Sequence, residues 1–213
     1  MIPRELQERA EWCVWKHELR GGKPTKVPYN PNTGERAETN NPDTFGTFDL
    51  ADERYLTEDY NGVGIRVSNG FSAVDIDKCI ENGVLSDFAM SIINDLRSYT
   101  EYSPSKSGVR IIFKAADFTF DAERYYLKNP HNRLEIYVDG VTNRFVTITG
   151  NTIYDYPIRD VSKELPAVLE AHMVRPVKSK QNQGVSAPMS VSLSDEDVIT
   201  KAYGSSPKFR ALP

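Results

Sequence analysis

The sequence predicts an α+β domain over residues 1–172, in which a central, mainly antiparallel sheet carries acids on one face and packs helices on the other. Short apolar runs with alternate facing recur at 63–67, 72–77, 109–114, 133–138 and 144–149, the period-two signature of half-buried strands. No regular strand–helix–strand alternation separates them, which argues against a doubly wound parallel sheet. With 213 residues, 39% of them hydrophobic, the chain can bury one full-sized core and carry a small appendage.

The opening Pro3-Arg4-Glu5-Leu6 suits a short helix with proline in its first turn, and the segment 12–16 reads as a strand in which Trp12 and Trp15 are both core residues. Gly21-Gly22 makes a hairpin turn that returns through Thr25-Lys26-Val27-Pro28-Tyr29. The polar stretch 30–43, rich in Asn, Pro, Thr and Gly, forms no long regular element. Thr47 caps a helix over 48–58. The runs at 63–67 and 72–77 flank Asn69-Gly70, and this turn signal predicts that they pair as a β-hairpin. Ser86 caps a helix to about Ser98 with Phe88, Ile92, Ile93 and Leu96 on one face. After three further strands, a helix over 163–172 with Pro166 in its first turn ends the domain. The segment 173–193 reads as a flexible linker, and Ser194-Asp195-Glu196-Asp197 as the start of a helix in a truncated C-terminal region over 194–213.

Charge follows the same division. The net charge is −4, but six Lys or Arg stand against three Asp or Glu from Arg175 onward, which leaves −7 on residues 1–174. A uniformly basic surface for nucleic acid is therefore excluded, and any such contact must be local. The two cysteines, Cys13 and Cys79, and the three histidines show no zinc spacing. With no apolar leader and no membrane-length stretch, the chain reads as a soluble, cytoplasmic protein with reduced thiols and no membrane partner.

Chemistry concentrates in four strands. Asp75 and Asp77, two apart in a strand, share the face opposite Val74 and Ile76. Two carboxylates this close repel by roughly 1–4 kcal/mol unless a cation lies between them. Hard oxygens without Cys or His suit Mg²⁺ or Mn²⁺. Glu135, in Leu134-Glu135-Ile136-Tyr137, is a third acid between core-facing residues; if the strands are neighbours, Asp75, Asp77 and Glu135 converge into a two-metal site. Ser103-Pro104-Ser105-Lys106-Ser107-Gly108 precedes a strand bearing Arg110, and Arg144 opens another strand ending in hydroxyls and glycine. Such a loop holds phosphate oxygens through amides and hydroxyls, and arginine adds a charged fork. Taken alone, the loop is also an ordinary turn and Arg144 an ordinary edge cation. Lys23 and Lys26 read equally as template-phosphate contacts or as solubilising loop residues, and Arg124, Lys128, His131 and Arg133 form a local basic cluster that either tracks a nucleic-acid backbone or balances nearby acids.

The ordered set Asp-x-Asp, Ser-x-Ser-x-x-Gly-hydrophobic-basic, hydrophobic-Glu-hydrophobic-Tyr and Arg-Phe-x-Thr-hydrophobic-Thr-Gly, read at 75–77, 103–111, 134–137 and 144–150, resembles the archaeo-eukaryotic primase superfamily. The nearest likeness is to the bifunctional primase-polymerase domain of phage and plasmid replication proteins, and the opening with Trp12, Trp15, Lys23, Lys26 and Tyr29 is similar too. The resemblance implies an RRM-like sheet with an N-terminal αβ unit. It further implies metal ligation by Asp75, Asp77 and Glu135, triphosphate binding by Ser105, Ser107, Arg110 and Arg144, and a following helicase region. Its expected chemistry is nucleotidyl transfer from an NTP or dNTP on a single-stranded DNA template or primer-template. Arg110 stands where that family usually has histidine, and arginine neutralises phosphate but releases no proton near neutral pH. Two other classes fit parts of the pattern: an Asp-x-Asp glycosyltransferase and a non-catalytic nucleic-acid-binding module.

Overall fold

The computed structural model describes residues 1–176. Its folded unit, Met1–Pro176, is α+β with antiparallel sheets, as the strand pattern predicts. The elements are α1 (Arg4–Gln7), β1 (Trp12–Arg20), β2 (Lys23–Tyr29), α2 (Phe48–Thr57), β3 (Gly62–Arg66), β4 (Phe71–Ile76), β5 (Ile80–Glu81), β6 (Val84–Leu85), α3 (Asp87–Leu96), β7 (Tyr99–Tyr102), β8 (Val109–Lys114), β9 (Lys128–Asn129), β10 (Leu134–Tyr137), β11 (Phe145–Ile148), β12 (Thr152–Tyr154) and α4 (Leu165–His172). The part of the expected linker from 177 onward and the expected C-terminal helical region lie outside the described residues; Met173, by contrast, is fully buried.

The central sheet has six strands in the order β12-β7-β8-β4-β10-β9. On one face Val74, Ile76, Val109, Ile111, Leu134 and Ile136 meet Ala89, Ile92, Ile93 and Leu96 of α3 and Leu165, Val168 and Leu169 of α4. The predicted N-caps are in place: the hydroxyl of Ser86 accepts from the amide of Ala89, and that of Thr47 from the amide of Leu50. The acid-bearing face is partly covered. Ala73, Tyr99 and Ile112 from it join a second core with Trp12, Val14, Val63, Ile65, Val146 and Ile148 of a four-stranded sheet, order β11-β3-β1-β2, and with Ala51 of α2. Trp12 and Trp15 are both buried, as expected, at 0% and 2% exposure.

One pairing differs from expectation. The runs on either side of Asn69-Gly70 do not form a hairpin: β3 pairs with β1 and β11, whereas β4 pairs with β8 and β10. The turn itself forms, with Asn69 and Gly70 both at positive φ. Its side groups are claimed from elsewhere. Glu11 accepts from the Asn69 side chain at 2.7 Å and Asp139 from the Gly70 amide at 2.6 Å, so the turn carries the chain from one sheet to the other. Asn82-Gly83, also at positive φ, does close a hairpin, β5–β6.

Candidate active site

Strand register builds a row of charge across the central sheet. Glu101 pairs with Arg110, Arg110 with Asp75, Asp75 with Glu135, and Glu135 with Lys128. Because paired residues share a face, five ionisable side chains from β7, β8, β4, β10 and β9 stand side by side. Glu101 and Arg110 are buried, Asp75 and Glu135 half-buried, and Lys128 exposed.

Arg110 organises the buried end. Its Nη2 donates to Asp75 Oδ1 at 2.9 Å, and its Nη1 to both the carbonyl and the hydroxyl oxygen of Thr147. Its Nε is buried without a partner. Burial opposes the guanidinium charge, but Asp75 and then Glu101 outweigh it, and the group is held above its ordinary value. Glu101 accepts from the amides of Thr149 and Gly150, each at 2.9 Å, and from the Tyr99 hydroxyl at 2.8 Å. Its carboxyl is nonetheless pushed up by burial, against the lowering effect of Arg110. Neither Glu101 nor Thr147 emerged as a site residue from sequence; the alternation Tyr99-Thr100-Glu101-Tyr102 is the signal that locates the former.

At the open end, Glu135 accepts from Lys128 through Oε1 and from the Tyr137 hydroxyl through Oε2, the latter at 2.9 Å. Asp77 lies just past β4, exposed, beside a recess of about 240 Å³ shared with His131 and Arg133. Partial desolvation, followed by the like charges of Asp75 and Glu135, holds its carboxyl above the usual range. The charges of Asp75 and Glu135 thus reach Asp77. Among the described residues, however, no cluster of three His, Cys, Asp or Glu forms a ready metal cage, since Asp75 and Glu135 are turned toward cations.

The serine loop is set against this row by a close approach. A Cβ on Gly108 would stand 2.6 Å from the Ile76 carbonyl oxygen and 3.4 Å from Asp77 Cα, so only glycine lets the loop lie on the end of β4. Ser103, Ser105 and Ser107 form a hydroxyl chain with spacings of 3.1 and 2.9 Å. Lys106 sits at positive φ, a conformation that glycine adopts more readily.

Asp75, Arg110 and Tyr137 line a cleft of about 500 Å³ whose other walls bear Lys26, Arg144 and Thr147. Arg144 is exposed there, immediately before β11. The remaining cationic candidates are dispersed: Lys23 is exposed at the β1–β2 turn opposite Arg20, and Arg124 pairs with Glu170 of α4 at 2.7 Å, away from this lining. Removing Asp75 would leave Arg110 buried without its carboxylate, so this acid is part of the fold as well as of the site.

No family model matches the chain. Among curated proteins it is similar to the DNA primase-polymerase of Nitratiruptor phage NrS-1, 29% identical over 202 residues, which is 92% of this chain and 26% of the phage protein. The resemblance to phage primase-polymerases drawn from the motifs is thereby borne out, for a chain that spans about a quarter of that relative's length. No helix among the described residues is long and apolar enough to cross a membrane.

Proposed function

We propose that this domain is a metal-dependent DNA primase-polymerase that transfers a nucleoside monophosphate from an NTP or dNTP to a template-bound 3′-hydroxyl and releases pyrophosphate. The observation that carries the reading is the register pairing of Asp75 with Glu135, with Asp77 just past the same strand, beside a cation-lined cleft and a serine loop seated on that strand end. The donor set fits Mg²⁺ or Mn²⁺. All three ligands would be carboxylates, Asp75 commits only Oδ1 to Arg110, and Glu135's partner Lys128 is 69% exposed and can swing away. Held by Asp75, Asp77 and Glu135, a pair of such ions would supply acidification of the attacking hydroxyl and charge neutralisation at the leaving group.

The chain's own residues do the positioning. Arg110 fixes the Asp75 carboxylate, Tyr137 fixes Glu135, and the hydroxyls of Ser105 and Ser107, with Arg144, face the triphosphate. A template strand or primer-template and, in a longer protein, a helicase region are the partners this reading expects. Incubation with primed and unprimed templates, all nucleotides and Mg²⁺ or Mn²⁺ tests it: extension products that vanish in Asp77→Asn support it.

The Arg110–Asp75 pair favours a second reading, a nucleic-acid-binding module in which the arginine occupies the place of a cation. Metal-independent binding of single strands, with no extension under any of these conditions, selects that alternative.

A further inference from the structure

The cleft holds one cation that neither the motifs nor the ion pairs explain. By register Thr147 pairs with Gly64, Gly64 with Cys13, and His17 with Lys26, so Thr147, Cys13, His17 and Lys26 share one face of the four-stranded sheet. Thr147 is the residue that holds Arg110. Lys26 thus enters the cleft of Asp75 and Arg110 from the opposite sheet. It is half-buried, with its Nζ 5.6 Å from the centroid of the Trp15 ring, and among the described residues it makes no ion pair. Desolvation and then the like charge of Arg110 pull its ammonium below the ordinary value, while Asp75 and Asp77 act in the other direction. Asp75, the carboxylate of this cleft, is paired with Arg110, so a half-buried ammonium beside a second cation is left with room for an anionic ligand.

Arg110 is poorly placed to meet that anion itself, because its Nη1 is taken by Thr147 and its Nη2 by Asp75. Lys26 also differs from Lys23, three residues earlier, which is exposed at the hairpin tip. A half-buried position in a cleft of about 500 Å³ suits a small ligand such as a nucleotide.

We propose that Lys26 is the cation that contacts the phosphate chain of the incoming nucleotide, while Arg110 is a positioning residue that fixes Asp75. The proposal rests on the nucleotidyl-transfer reading and gives its triphosphate a partner outside the serine loop and the strands that bear Arg110 and Arg144.

The test uses the full chain with Lys26→Met, which keeps the aliphatic stem against Trp15, and Lys26→Arg, which keeps the charge. Binding of dATP and dAMP, and of ATP and AMP in parallel, is measured by calorimetry with Mg²⁺, and binding of single-stranded DNA by anisotropy at fixed ionic strength. Lys26→Met should weaken triphosphate affinity about tenfold or more, as loss of a charge-assisted contact does. Monophosphate and DNA affinity should change less than about twofold, and Lys26→Arg should restore most of the triphosphate preference. Unchanged triphosphate binding with weakened DNA binding makes Lys26 a template contact and overturns the proposal. Equal losses for mono- and triphosphate with a lowered melting temperature make its role structural and overturn it as well. A wild-type chain that binds no nucleotide and extends no primer sinks the polymerase reading itself, whereas an active wild type matched by Lys26→Met sinks only the assignment of Lys26.

Discussion

Replacing Arg110 by methionine separates a buried structural cation from a ligand-binding one. The ion pair it forms with Asp75 is almost fully withdrawn from water, at 4% and 14% side-chain exposure, so the discount that applies to surface pairs does not apply here. Its neighbour on β7, Glu101, is 0% exposed and counts Arg110 as its largest favourable charge. Removing one partner of such a pair leaves a carboxylate buried without compensation, at a cost of about 3–5 kcal/mol. Against a domain stability of roughly 5–15 kcal/mol this is a large fraction. In urea, with a slope of about 1–3 kcal/mol per molar, the midpoint should fall by about 2 M.

The double variant Arg110→Met/Asp75→Asn should lose less than Arg110→Met alone, because Glu101 is then the one partner left without the guanidinium and Asp75 no longer carries a charge; urea titrations of the four-member cycle measure that coupling. If Arg110→Met instead costs under about 1 kcal/mol and selectively abolishes triphosphate binding, Arg110 is a free phosphate ligand, and the division of labour between it and Lys26 is wrong.

Asp77→Asn should eliminate primer extension yet leave melting unchanged or slightly raised, because Asp77 is exposed and its main partners are like charges; a clear drop in melting temperature would show that it holds the fold. Gly108→Ala places a methyl group against backbone that cannot yield, at 2.6 Å from the Ile76 oxygen. It should destabilise by about 1–3 kcal/mol and raise KM for the nucleotide by displacing the serine loop, whereas wild-type kinetics would disprove that the loop's seat matters. Cys13 and Cys79 are buried free thiols; burial pushes Cys79 up to about 11 and Cys13 higher still. A folded-state pKa raised above the unfolded one gives stability that is complete below about pH 9 and is lost as pH climbs toward 11, on the order of 2 kcal/mol for Cys79. Native protein at pH 8 should also resist a thiol reagent that labels both residues in urea, and rapid native labelling would contradict the burial.

Local signals in the sequence carried the fold as far as local physics reaches. Residues 109–114 match β8, and the caps at Thr47 and Ser86 start α2 and α3 where side-chain oxygens meet free amides. Pairing was less legible. Asn-Gly guarantees a backbone able to reverse at positive φ, not that the flanking strands bond to each other. At 82–83 they do; at 69–70 buried Glu11 and half-buried Asp139 take the turn's polar groups, and each strand finds a better apolar partner in a different sheet. A one-sequence reading has no term for such competition between distant partners.

The same limit explains which parts of the site could be read. Asp75 and Asp77 declare themselves because two carboxylates two residues apart are costly, and Glu135 because an acid interrupts an apolar strand. Lys26 and Thr147 carry no such anomaly: a lysine near a hairpin and a threonine in a strand are ordinary. They acquire meaning only when β11 and β2 of one sheet come to flank a cleft floored by the other. Glu101 lies between these cases, since an acid in an alternating strand is readable, but its total burial follows from the amides of Thr149 and Gly150 arriving from nearly fifty residues away. Acids that must meet one another are thus visible in the motif, while the counter-charges that make their meeting tolerable are set by the tertiary fold. For this reason Arg110, present in the motif but spent on Asp75, and Lys26, outside the four site motifs and without an ion pair among the described residues, differ in a way that the sequence alone does not display.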